Sequence, residues 1–215
     1  MKLIWDAVGE KQYESGTSKG VLYPQAADGK YPKGTAWNGL TSVNEAPSGA
    51  EETKLWADNI QYGSLRAAET FGGTIEAYMS PLEFGPCDGT AMPVKGVYLG
   101  QQKRTPFGLC YRTEIGNDAN PEAGYKLHLV YGATASPSAK DYATINESPE
   151  AITLSWEMTT IPVNVEGYKP TALLVVNSTE VEETKLKALE DVLYGTETNE
   201  AKLPLPAEVI TLLTA

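Results

Sequence analysis

The chain is poor in the residues that most often carry catalysis or bind metals. Its 215 residues include one histidine and two cysteines, and no run of about 18 apolar residues occurs. A structural zinc site usually takes four Cys or His ligands, and a Ser or Cys nucleophile needs a histidine base held by a carboxylate. No phosphate-binding glycine loop or dinucleotide fingerprint is present either. We therefore expect no metal site, no cofactor, no membrane span and no enzymatic activity.

Basic residues are also scarce. Seventeen Lys and Arg face 28 Asp and Glu, which gives a formal net charge of −11. A nucleic-acid-binding surface needs a basic face that neutralises phosphates, so this balance argues against one. An acidic surface repels DNA, which suits a conduit that DNA passes without sticking. The same composition equally fits simple solubility.

The residues that remain as catalytic candidates have structural interpretations. His128 lies between Leu127 and Leu129 in a strand pattern, which indicates a half-exposed strand histidine. Cys110 lies in another strand with no histidine nearby in the sequence to activate it. Residues 117–120 lack the spacing and the glycine of a calcium loop, so we interpret them as a turn. A carboxylate pair for glycoside hydrolysis cannot be placed from sequence, which leaves a glycan hydrolase as a third possibility.

Alternating apolar and polar residues predict several antiparallel strands. Phe107–Ile115 and Tyr125–Ala133 alternate clearly, and the Asn-, Asp- and Pro-containing loop between them predicts a hairpin. Ile152–Met158 alternates in the same way. Thr171–Asn177 is continuously apolar, which predicts a strand buried on both faces. Apolar faces of this size need cover from a second sheet or a helix.

One helix is predicted near Val181–Tyr194, within a segment that spans 178–195. Ser178 or Thr179 is the expected N-cap, and Gly195 ends the helix. The closing segment, 203–215, begins Leu-Pro-Leu-Pro and is apolar at its end. We expect it to form an extended arm that docks on a partner.

A long hairpin arm over residues 36–60 is the most informative prediction. Ala36–Asn59 carries few large aliphatic residues, and Pro47-Ser48-Gly49 is the expected turn. Ser64–Phe71 has helical spacing for one or two turns. An isolated two-stranded hairpin is marginal in water, which favours completion by a neighbouring chain over folding back on its own domain. The residues that we expect at subunit interfaces are Trp5, Trp37, Leu40, Val43, Leu55, Trp56, Leu212 and Leu213.

No repeat, linker or charge block divides the chain, so we predict a single domain over residues 1–215. The fold class is all-β, mainly β with one flanking α-helix, arranged as an antiparallel β-sandwich or open barrel from which the arm extends.

The order and spacing of several long sequence blocks is similar to that of the major tail tube protein of long-tailed (siphovirus-type) bacteriophages. The resemblance covers nearly the whole chain, from Leu22 to Pro206. The blocks that carry it are AWNGLTSVNEAPSGAEETKLWADN (36–59), GGTIEAYMSPLEFGPCDG (72–89), FGLCYRTEIGN (107–117), GYKLHLVYGATASPS (124–138) and INESPEAITLSWEM (145–158).

The resemblance implies a structural virion protein of the tail, made in the cytoplasm of the bacterial host. Such proteins form hexameric rings that stack into a hollow tube through which DNA is delivered. A tape measure protein fills the tube during assembly, and tail terminator and distal tail proteins contact it. The arm is then expected at ring contacts, with Glu45, Glu51 and Glu52 as candidates to face the lumen or a neighbouring ring. The family supplies no catalytic residues.

Two alternatives remain open from the sequence. The first is a monomeric Ig-like or lectin-like binding module, which predicts a compact hairpin and a solvent-facing aromatic patch. The second is the tube protein of a contractile tail, which belongs to the same functional class.

Overall fold

The computed structural model describes residues 3–145, 147–148 and 150–214. Eight strands precede residue 80: β1 Tyr13–Pro24, β2 Thr35–Ala36, β3 Leu40–Glu45, β4 Ser48–Gly49, β5 Glu52–Ala57, β6 Ile60–Arg66, β7 Glu69–Thr70 and β8 Gly72–Ala77. After a short 3₁₀ turn at Leu82–Phe84 come β9 Ala91–Val94, β10 Val97–Leu99, β11 Phe107–Gly116, β12 Gly124–Ala135, β13 Leu154–Thr160 and β14 Leu173–Asn177. The two helices are α1 Glu183–Tyr194 and α2 Pro206–Thr214.

The main sheet is antiparallel and curls back on itself. Its strand order is β2-β1-β11-β12-β13-β8-β3, and β14 also pairs with β12. β12 is long enough to serve two neighbours along one edge, because β14 pairs with its first half and β13 with its last residues. The curl brings β3 close to β1. The Trp37 N–H, directly after β2, donates to the Gly20 carbonyl and so extends the pairing of β2 with β1. The predicted all-β class, with antiparallel sheets and a flanking helix, is confirmed.

Two apolar clusters lie on opposite faces of this sheet. Tyr111 and Trp156 belong to the inner cluster, which the curled sheet and the 3₁₀ turn enclose. Tyr131 belongs to the outer cluster, which α1 and α2 cover. The alternation in β11 correctly separates the two faces, since Leu109 lies in the inner cluster and Cys110 in the outer. However, the face of Cys110 is buried and apolar at this point, where polar neighbours predicted a polar face.

β14 and α1 differ in detail from the sequence-based predictions. The Val175 side chain of β14 is 44% exposed, so this strand is not buried on both faces. α1 has Glu182 at its N-cap, without a side-chain cap. The Ser178 hydroxyl instead accepts the Tyr125 N–H, and the Thr179 hydroxyl donates to Asn177. The predicted N-cap at Ser178 or Thr179 is thus wrong, because those hydroxyls bind the strand end, while Gly195 ends the helix as expected.

Residues 203–215 were predicted to form an extended arm, and this is wrong for most of the segment. Pro206–Thr214 forms α2, in which proline occupies the first position, where a missing N–H costs nothing. Glu208 accepts the Leu205 N–H across the start of the helix. Val209 is fully buried, and Leu212 and Leu213 pack partly against the outer cluster. The helix therefore docks on its own chain.

The long hairpin is present, but its turn and its second arm differ from the prediction. β3 pairs with β8, β4 with β7 and β5 with β6, so one antiparallel excursion runs out from residue 40 and returns by residue 77. Its turn is Asp58-Asn59, and both residues have left-handed φ angles of 49° and 60°. Asp and Asn tolerate this conformation, and two such residues make a tight hairpin turn. Ser64–Phe71 is accordingly strand, not helix.

Pro47 marks a break in this hairpin and not its turn. Proline has no N–H to donate, so β3 ends before it and the two-residue β4 begins after it. Beyond this break the ladder leaves the main sheet, and β5 and β6 pair as a separate two-stranded sheet. We call residues 46–71 the arm.

Candidate assembly surfaces

The outer half of the arm is amphipathic. The register of β5 and β6 places Leu55, Ala57, Ile60 and Leu65 on one face, and Lys54 on the other together with Trp56, Gln61 and Ser64. Ile60 is 63% exposed and Leu65 is 60% exposed. An exposed apolar face of this kind on an isolated two-stranded sheet makes the arm a candidate contact surface.

The whole chain has a larger accessible surface area than a compact monomer of its mass. The chain exposes 14248 Å², whereas a compact monomer of 23.2 kDa exposes about 9,700 Å². The excess, about 4,500 Å², is comparable to the area that obligate oligomers bury at their interfaces. Exposed apolar side chains also occur in the N-terminal segment, where Trp5 is 74% exposed. The chain thus exposes considerably more surface than a compact monomer of its mass.

The five predicted interface residues between positions 37 and 56 fall into three groups. Leu55 and Trp56 are exposed on the arm, so their side chains are accessible to another chain. Leu40 and Val43 lie on β3 and pack partly against the inner cluster. Trp37 is only 3% exposed.

The position of Trp37 corrects its assignment to an interface. Its ring lies 4.7 Å from that of Phe84 and 5.6 Å from that of Trp156, and its Nε1–H donates to the Met79 carbonyl. A side chain enclosed in this way stabilises its own chain and is not available to a neighbour.

The three acidic candidates divide as well. Glu51 and Glu52 are exposed on the arm. Glu45 instead ends β3, where its carboxylate accepts hydrogen bonds from the Tyr111 hydroxyl and from His128 Nδ1, the latter at 2.9 Å. Glu45 therefore holds the root of the arm on β11 and β12, and its assignment as a lumen-facing candidate stays a prediction.

A polar cluster surrounds Glu45, and no local sequence pattern indicates it. His128 is 8% exposed, and its ring stacks on Tyr111 with centroids 4.6 Å apart, which corrects the prediction of a half-exposed histidine. His128 Nε2 lies 3.0 Å from the Thr113 hydroxyl, and Glu14 of β1 binds both Thr113 and Lys126. Four strands that are distant in sequence contribute these groups.

The cluster contains the three groups of a hydrolase triad, but they are not accessible to a substrate. The Thr113 hydroxyl is hydrogen-bonded to the His128 imidazole, which is hydrogen-bonded in turn to the Glu45 carboxylate. However, the Thr113 hydroxyl donates its proton to Glu14, and Tyr111 covers one face of the imidazole. The geometry therefore supports a clamp at the root of the arm, not a nucleophile.

The clamp predicts a pH dependence of stability. The hydrogen bond from His128 is the largest effect on the pKa of Glu45 and lowers it. Burial raises this pKa, and the hydrogen bond from the Tyr111 hydroxyl lowers it further, so that the net shift is downward. A carboxylate whose pKa is lowered on folding contributes stability above its ordinary pKa and loses it as pH falls through the folded value. We expect Glu45→Gln to cost about 1–2 kcal/mol of unfolding free energy at pH 6.

The cost of Glu45→Gln should shrink as pH falls below the ordinary carboxyl pKa, because the unfolded chain then binds a proton that the folded carboxylate, with its lowered pKa, still resists. Urea unfolding at several pH values measures it, with the exposed Glu69→Gln as the matched control. An equal cost at pH 6 and pH 3 would contradict the clamp.

Cys87 and Cys110 are both buried free thiols, and burial raises the pKa of each to about 12. In the described part of the chain, no helix has the length and apolarity needed to cross a membrane.

Comparison of the sequence with models of known protein families gives no match, and comparison with curated protein sequences gives none either.

Proposed function

We propose that this chain is a structural subunit that self-assembles through its arm into stacked hexameric rings, forming the hollow tail tube of a long-tailed bacteriophage. The observation that carries the proposal is the exposed apolar face of the arm on a two-stranded sheet. The resemblance of the sequence blocks adds the specific class. On this proposal the chain resides in the virion tail and has no catalytic role.

The energetics favour assembly through such a face. Burying one Leu or Ile side chain fully contributes about 1.5–3 kcal/mol, so the three large aliphatic residues of the arm contribute several kcal/mol to each contact. A heterologous contact repeated around a closed ring uses every arm and leaves none bare.

The charge of the chain suits a conduit for DNA. Six copies carry about −66 formal charges, since each has a net charge of −11. Acidic walls discourage DNA from adhering during ejection. A tape measure protein within the tube, and terminator and distal tail proteins at its ends, are the partners that this function requires.

A monomeric Ig-like or lectin-like binding module is less favoured. That alternative needs a compact hairpin, whereas every residue of β5 is exposed. A monomer would also leave the excess of about 4,500 Å² permanently in water.

Sedimentation velocity over a range of protein concentrations tests the proposal. We expect oligomers of discrete size that grow with concentration. A single monomeric species up to millimolar concentration would favour the binding module instead.

A further inference from the structure

A second hairpin, which no sequence pattern indicated, also has a solvent-exposed apolar face. β9 and β10 pair with each other as a two-stranded sheet, and Val97 is the partner of Val94 across the Lys95-Gly96 turn. Gly96 has a φ of 86°, which a two-residue turn of this kind requires. Val94, Val97 and Leu99 lie on one face, and Val94 is 65% exposed.

This hairpin lies in the longest stretch of the chain without acidic residues. No Asp or Glu occurs between Asp88 and Glu114. Lys95 and Lys103 are both exposed there, and the described residues provide no ion-pair partner for either ammonium group. In a chain of net charge −11, this surface is locally basic.

The arm has the opposite charge. Four acidic residues and two basic ones lie on it, which gives a net charge of −2: Glu51, Glu52, Asp58 and Glu69 against Lys54 and Arg66. The two hairpins thus match in both respects, because each has a small apolar face and their charges are complementary.

We propose that the hairpin of residues 91–99 is the surface that receives the arm of a second copy of this chain. This inference rests on the self-assembly proposed above and names the two surfaces that meet. The apolar faces pack against each other at the usual sheet-to-sheet spacing of about 10 Å, with Lys95 and Lys103 near Glu51 and Glu52. Because the two surfaces differ, each copy gives its arm to one neighbour and receives an arm from another, as ring closure requires.

Cross-linking between two differently labelled chains tests the contact directly. One chain carries Leu65→Cys on the arm, and the other carries Val97→Cys on the hairpin. A short bismaleimide joins cysteines that lie near each other, and the native Cys87 and Cys110 do not compete because they are buried. We expect the Leu65→Cys chain to cross-link to the Val97→Cys chain about tenfold faster than to a control chain with Val175→Cys, whose exposed site lies on β14.

A charge exchange sharpens the test. Glu51→Lys with Glu52→Lys in the arm-donating chain should slow cross-linking about tenfold at low salt. Lys95→Glu with Lys103→Glu in the receiving chain should restore it. Lys30→Glu with Lys187→Glu, which makes the same change in net charge elsewhere, should not. Circular dichroism confirms that each variant is folded.

Equal rates with the hairpin and control chains would overturn the inference, and so would failure of the charge exchange to restore the rate. The outcomes also separate it from the tube proposal. Specific cross-linking in a protein that never forms rings would support this contact and refute the tube. Rings that form without specific cross-linking would support the tube and refute this contact.

Discussion

Replacing the apolar face of the arm with threonine should abolish assembly while leaving the chain folded. The variant is Leu55→Thr, Ile60→Thr and Leu65→Thr, which keeps residues of high β propensity at all three sites. We expect the association of subunits to weaken at least about 1000-fold, because the lost burial amounts to about 4–6 kcal/mol. Sedimentation velocity measures this loss of association.

The folding of this variant should change little, because none of the three side chains contributes to either core cluster. A matched control places three threonines on the opposite face of the same hairpin, as Lys54→Thr, Gln61→Thr and Ser64→Thr. That control should assemble like the wild type. If both variants assemble equally well, the apolar face is not the contact.

Trp37→Ala should destabilise the chain by about 3–5 kcal/mol, a large part of the stability of a typical domain. The substitution removes an indole packed between Phe84 and Trp156, and leaves the Met79 carbonyl without its hydrogen-bond donor. Urea unfolding of the dilute chain, followed by circular dichroism, measures the change.

Trp56 provides the matched control for this prediction. It is 67% exposed on the arm, so Trp56→Ala should change the unfolding free energy by less than about 0.5 kcal/mol. If Trp37→Ala leaves stability unchanged and weakens assembly, the interface assignment made from the sequence is right and the core assignment is wrong.

The sequence predicts long strands well, but it does not predict the burial of an isolated residue in a loop. Alternation of apolar and polar residues in β11 and β12 predicts the two strands, their hairpin and which residues share a face, because successive side chains of a strand point to opposite faces of the sheet. Trp37 has no such neighbours to indicate its environment, since it lies in a connection between two strands. Only the curl of the sheet places it in the core.

The arm illustrates a partial success. Its sparse aliphatic content indicates a hairpin without its own core, and this holds for residues 46–71. The turn was misplaced because Pro47-Ser48-Gly49 resembles a turn more strongly than Asp58-Asn59 does, although the second pair tolerates the left-handed conformation. The spacing of Leu65, Ala68 and Phe71 then suggested a helix in what is the returning strand.

Other features depend on contacts that no local pattern carries. The clamp of Glu45 and His128 joins residues 83 positions apart, and Glu14 reaches Lys126 across 112 positions. In contrast, α2 had a local signal that was overlooked, since Pro206 begins it and Val209 and Leu213 follow at helical spacing.

Negative-stain electron microscopy of the concentrated wild-type chain tests the central proposal most directly. The proposal predicts hollow rings of six subunits, or tubes of uniform width built from them. Uniform particles of monomer size, at concentrations where light scattering also reports no growth, would contradict it.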